Sequence, residues 1–246
     1  AATLPTEITA DGVHQYYVKY KLQQTDISGL TVEKPADVKY NGEPQQQEPV
    51  VKDGSKILVK GTDYTLSYSA DTTNAGTVTV TVTGNGNYSG SKEVKYQITK
   101  RDVTLTSASA EKVYDGEPLT KHEVTVSGDG FVKDEGATYN VTGSQTVVGG
   151  EEHNNTFTYT LKANTKAGNY NVTTANGTLK VTSKGLDGKG MEVGALGPVK
   201  YNGEPQQQKP VVKDGNTVLK EGTDYTLSYS ADTTNAGTVT VTVTGN

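Results

Sequence analysis

Residues 38 to 85 read VKYNGEPQQQEPVVKDGSKILVKGTDYTLSYSADTTNAGTVTVTVTGN, and residues 199 to 246 repeat them at an offset of 161 with six differences in 48 pairs. The differences are Glu48/Lys209, Ser55/Asn216, Lys56/Thr217, Ile57/Val218, Val59/Lys220 and Lys60/Glu221. An ungapped match of this length is a duplication, and it divides the chain into an array of small units. Within the stretch, Tyr64, Leu66 and Tyr68 alternate with Thr65, Ser67 and Ser69. Val78, Val80 and Val82 alternate with Thr77, Thr79, Thr81 and Thr83. Neighbouring side chains on a strand point to opposite faces, so each run has one apolar and one hydroxyl face. Threonine is the ordinary wet-face residue of a strand, so the threonine ladder reads as structure and not as a ligand platform. Turn clusters at 71 to 76 and 84 to 87 follow at short intervals, as antiparallel strands require. The expectation is an all-β chain of small β-sandwich modules in tandem, arranged as an elongated rod.

Between the copies lies a different unit with a related opening. Val113-Tyr114-Asp115-Gly116-Glu117-Pro118 echoes Val38-Lys39-Tyr40-Asn41-Gly42-Glu43-Pro44, and Phe157, Tyr159 and Leu161 alternate with threonines. The array therefore reads A, B, A, with the first A module over 30–100, the B module over 101–183 and the second A module over 184–246. Residues 1–29 read as the closing strand or strands of a preceding module, because Val18-Lys19-Tyr20-Lys21-Leu22 parallels Val94-Lys95-Tyr96-Gln97-Ile98. The second A module stops before its own version of that strand. An open edge is expected there, and residues 14 to 22 of a neighbouring molecule are expected to fill it by strand exchange. The six differing positions, charge reversals included, read as a freely varying surface.

Composition narrows the partners. The net charge is −5 and no block of Lys or Arg occurs, which argues against nucleic acid and anionic membrane, since both need a basic footprint. No apolar run approaches the roughly 20 residues that span a bilayer. Only 32% of residues are hydrophobic, thin for one large core, yet fifteen tyrosines and the modest charge set the chain apart from a disordered one. Cysteine is absent, so neither disulfides nor thiolates contribute.

No catalytic, cofactor or metal site is expected. His14, His122 and His153 fall in different segments and lack the partners of a zinc site or a triad. Gly86-Asn87-Tyr88-Ser89-Gly90 fails the nucleophile-elbow spacing by one residue and reads as a turn. Asp129, Asp134 and Glu135 offer oxygen ligands near one another in sequence, but their spacing is not that of a calcium loop. Glu151 and Glu152 are adjacent and read as solvated loop charges.

Lys112-Val113-Tyr114-Asp115-Gly116-Glu117-Pro118-Leu119-Thr120, Val124-Thr125-Val126-Ser127-Gly128 and residues 135 to 145 resemble the YDG-type repeat of gut clostridial surface proteins. Tyr40-Asn41-Gly42, Asn74-Ala75-Gly76 and Asn87-Tyr88-Ser89-Gly90 resemble the related MBG class of bacterial Ig-like modules. The resemblance implies a non-enzymatic segment of a Gram-positive surface adhesin, extracellular and held to the cell wall through parts outside this chain. It also admits an intramodular Lys-to-Asn or Lys-to-Asp isopeptide bond, although no lysine stands on an inward stripe. The expected function is a repetitive stalk that presents binding surfaces for a host ligand, a host glycoprotein or mucin glycan. The alternatives are an immunoglobulin-binding surface module and a passive spacer. No contact residue follows from sequence, but the B module or an A–B junction is favoured, for its longer loops, Phe131 and the 144 to 155 stretch.

Overall fold

The computed structural model describes residues 23 to 246. His14, the strand read at 18 to 22 and the exchanging segment 14 to 22 lie outside the described residues. Within them the protein is all-β. Every regular element is a strand except two single 3-10 turns, Ile27–Gly29 and Ala167–Asn169. Two compact units are present. The first comprises the described residues up to Val103 with Gly128–Ala137 and Leu161–Thr173, and the second comprises Thr104–Ser127, Thr138–Thr160 and Thr174–Asn246.

The first unit is built on a four-stranded sheet in the order Val38–Lys39, Ser91–Thr99, Gly76–Gly84, Tyr64–Tyr68. Gly76–Gly84 runs antiparallel to both neighbours, with Val78 opposite Tyr96 and Val82 opposite Leu66. The alternation read from sequence sets the faces: Val78, Val80 and Val82 are fully buried, while the intervening threonines keep contact with solvent. Thr31–Val32, Val51–Asp53 and Lys56–Ile57 form a second, antiparallel sheet. Its hairpin turns through Gly54 at φ +58, a backbone shape that a Cβ would strain. Val51 from this sheet meets Tyr64 and Val82 from the other, with Ile27, Leu58 and Tyr88 completing one core cluster. Each such aliphatic side chain contributes about 1.5–3 kcal/mol by leaving water.

In the second unit, Ala110–Val113 runs parallel to Leu179–Thr182, and Leu179 and Val181 are buried. Elsewhere in the chain, Arg101–Ser107 lies between Val124–Gly128 and Tyr170–Ala175 in a three-stranded sheet, and Ala137–Val141 pairs with Phe157–Leu161. The second repeat copy supplies an antiparallel sheet of Met191–Val193, Val212–Asp214 and Thr217–Val218, and a separate pair, Tyr225–Tyr229 with Val241–Gly245.

Identical residues end differently in the two copies. Val80 is dry, whereas its counterpart Val241 is half-buried, and Tyr40 is 4% exposed where Tyr201 is 66% exposed. In the first copy Ser91–Thr99 covers the valine strand and pairs with Val38–Lys39. Its Tyr96 hydroxyl donates to the Gln45 carbonyl and accepts from the Gln47 amide at 3.3 Å. Among the described residues Val241–Gly245 pairs on one side only, and Val199 stays outside any strand.

Candidate functional site

The densest polar network of the first unit gathers around Glu135. One carboxylate oxygen accepts from the Tyr40 hydroxyl at 2.5 Å and the other from the Tyr170 hydroxyl at 2.7 Å. Tyr170 also accepts from the Val132 amide at 3.0 Å. The two rings meet edge to face at 5.6 Å, and Phe131 packs against Tyr170 at 5.0 Å. Such aromatic pairs add about 0.5–1.5 kcal/mol beyond their buried area. Burial, and secondarily the Glu135 charge, push the Tyr40 phenol up to about 12. Tyr170 is pushed up as well, by burial above all.

Around this centre residues between 101 and 169 hold the first copy through backbone and side-chain groups. Asn169, 1% exposed, accepts from the Ala75 amide at 2.8 Å and donates to Asn74 Oδ1 at 3.0 Å. Arg101 donates to the carbonyls of Gly130, Tyr40 and Asp129. Lys39 reaches both carboxylate oxygens of Asp129 at 2.7 Å, and that bond, with the Asp102 amide, holds the Asp129 carboxyl below its usual range. Of the three acids weighed as calcium ligands, two are therefore engaged elsewhere. The third, Asp134, sits at φ +68 and offers its carbonyl to Asn164. Among the described residues no three acidic, histidine or cysteine side chains gather in the manner of a metal site. Among the described residues the buried polar side chains include no lysine, so none of those described lies in a core beside an Asn or Asp. This network is a lock: every oxygen of the Glu135 carboxylate has a donor, and Phe131 is half-buried against Tyr170.

The 144 to 155 stretch, in the second unit, is tied at both ends and open in the middle. Gln145 exchanges backbone hydrogen bonds with Leu119, and Gly149 with Val181. Asn154 pairs with the Leu179 backbone through both side-chain amide atoms, as a strand neighbour would. Fully buried Asn155 donates to the carbonyls of Ala108 and Lys121, and its own carbonyl accepts from Ser107 Oγ at 2.5 Å. Sequence reading missed both asparagines, since an Asn-Asn pair in a loop looks like turn chemistry. His153 at φ +60 bonds the Asn176 carbonyl through Nδ1, and His122 bonds that of Val141.

The held ends leave Val147 and Val148 at 68% and 53% exposure. They border a recess of about 370 Å³ with Tyr114, Leu186, Met191 and Leu219, and the Lys184–Asp214 ion pair stands at its wall. An open recess in which these apolar groups stand beside Ser183, Thr223, Asp224 and the charge pair, with an aromatic edge, suits a peptide side chain or the face of a sugar ring.

A further relation appears between the copies. Glu48 and Lys60 form an ion pair in the first copy, and their counterparts Lys209 and Glu221 form one at 2.8 Å in the second, with the signs exchanged. These charge reversals are compensated and not free surface variation. No family model, curated protein or solved structure matches the chain.

Proposed function

We propose that the chain is a stretch of a repetitive extracellular stalk of a bacterial surface adhesin, related to the MBG and YDG repeats of Gram-positive cell-wall proteins. In this reading its units are Ig-like β-sandwich modules arranged as an elongated rod, non-enzymatic, attached to the cell wall through other parts of the protein. The observation that carries it is the near-identical duplication of an all-β segment around a different β-module. Repetition of small β-modules gives reach, and repeated surfaces give avidity through effective concentration.

The ligand surface of this proposal is the Tyr114, Val147 and Val148 recess, and its ligand a host glycoprotein, a mucin glycan or, as the second reading, an immunoglobulin. The exposed valines favour binding over passive spacing, because apolar side chains clustered at a tip held at both ends are unusual on an inert surface. Strand exchange between molecules at the one-sided Val241–Gly245 edge belongs to the same proposal. The test is capture from mucus and serum by the full chain and by the Val147→Asp/Val148→Asp variant, with solution scattering of both. Ligand captured by the native chain, lost in the variant and accompanied by an elongated scattering profile, is the expected result. Capture by neither chain makes the segment a spacer, and a compact profile removes the stalk.

A further inference from the structure

The two copies of the repeat differ at six positions, and only one pair of those positions joins two differing residues in an ion pair within each copy. Glu48 precedes the tight hairpin at Gly54 and Lys60 follows it, so the pair links the half-module before the hairpin to the half-module after it. The apolar residues at that junction are the same in both copies: Val51 and Val212, Leu58 and Leu219, Tyr64 and Tyr225. Within the repeated residues, none of these junction side chains tells the first half of one copy from the first half of the other. Near-identical repeats in one chain are therefore liable to exchange halves during folding.

We infer that the exchanged ion pair is a pairing code that directs each half-module to its own partner. In the native arrangement, Glu48 meets Lys60 and Lys209 meets Glu221, two attractions. In a chain whose copies had traded halves, Glu48 would face Glu221 and Lys209 would face Lys60, two repulsions. The code leaves native stability almost unchanged, since the same pair is made in each copy, and acts by penalising the wrong state. Both pairs are exposed and each is weak alone, but the native and exchanged arrangements differ at both pairs at once, so matching the polarities shifts the ratio of native to exchanged chains on the order of ten-fold.

The chain has no cysteine, which makes the exchange directly readable. Lys52 pairs with Ile57 across the hairpin of the first copy, and Lys213 with Val218 across that of the second. Lys52→Cys with Val218→Cys closes an intramolecular disulfide only in an exchanged chain, whereas Lys52→Cys with Ile57→Cys closes one only in a native chain. Each reporter is refolded at low protein concentration, with native charges and with Glu48→Lys/Lys60→Glu, which gives both copies one polarity. The expected result is a rise on the order of ten-fold in the exchanged disulfide when the polarities match, an unchanged melting temperature, and a difference that shrinks at high salt. Equal yields of the exchanged disulfide at both polarities, or a rise indifferent to salt, would overturn the code.

Discussion

At the scale of single residues, half-buried Glu135 ties two elements together, because one carboxylate satisfies two phenols that packing has taken from water. Glu135→Gln keeps the shape but presents an amide NH2 to one hydroxyl. That phenol can then only accept from the amide, and its own proton loses its acceptor, a loss of about 1–3 kcal/mol readable as a fall in the denaturant midpoint of the first unit. Tyr40→Phe in the same background removes the stranded hydroxyl and recovers part of the loss, provided the amide has turned toward Tyr40. The phenols also set an alkaline limit. With its folded pKa raised from 10.0 to about 12, Tyr40 contributes stability in full below pH 10 that is lost as pH rises through about 12. Ultraviolet titration is expected to show two tyrosines ionising after the rest, together with loss of the fold, and Tyr40→Phe is expected to remove one of them. On the acid side the exposed Asp71 carboxyl, held down to about 2 chiefly by the Asn74 amide and side chain, stays ionised to low pH. Its small contribution is present above pH 3.8 and fades as pH falls through about 2.

At the scale of elements, the valine strand shows that a strand's sequence and its burial are separate quantities. Val78, Val80 and Val82 stand in the same local sequence as Val239, Val241 and Val243, yet only the first set is dry. The neighbouring strand Ser91–Thr99, which sets fully buried Tyr96 opposite Val78, and the packing of Ile27 and Tyr88 in the core with Val82 make the difference. Val80→Ala is therefore expected to cost about 2 kcal/mol through lost transfer energy and a residual cavity, whereas Val241→Ala costs less than half of that. Amide hydrogen exchange resolved along the chain checks both: Val80→Ala speeds exchange across Gly76–Gly84 strongly, and Val241→Ala changes Val241–Gly245 little. Equal effects would mean that both valine strands are equally covered in solution.

For the whole molecule, much of the architecture was legible without coordinates. Period-two alternation over 64 to 69 and 77 to 83 led directly to the observed strands Tyr64–Tyr68 and Gly76–Gly84, because it is a local signal that packing reinforced. Turn chemistry at Gly54 and its copy Gly215 was equally local, both adopting positive φ. The ties were harder to see. Glu135 and Asn155 look like loop residues, and their partners lie from 22 to 95 residues away: Tyr40, Tyr170, Ala108 and Lys121 for the side chains, Ser107 and Gly177 for the backbone of Asn155. The exchanged ion pair was visible in the alignment as two reversals 12 residues apart, but only spatial contact makes them one event. By itself, then, the sequence determined the duplication, the strand-and-turn rhythm and the all-β class, since these depend on neighbours along the backbone. Tertiary structure alone decided which of two identical tyrosines is locked and which of two identical valines is dry. Burial belongs to whatever packs on top, and that cover comes from elsewhere in the chain.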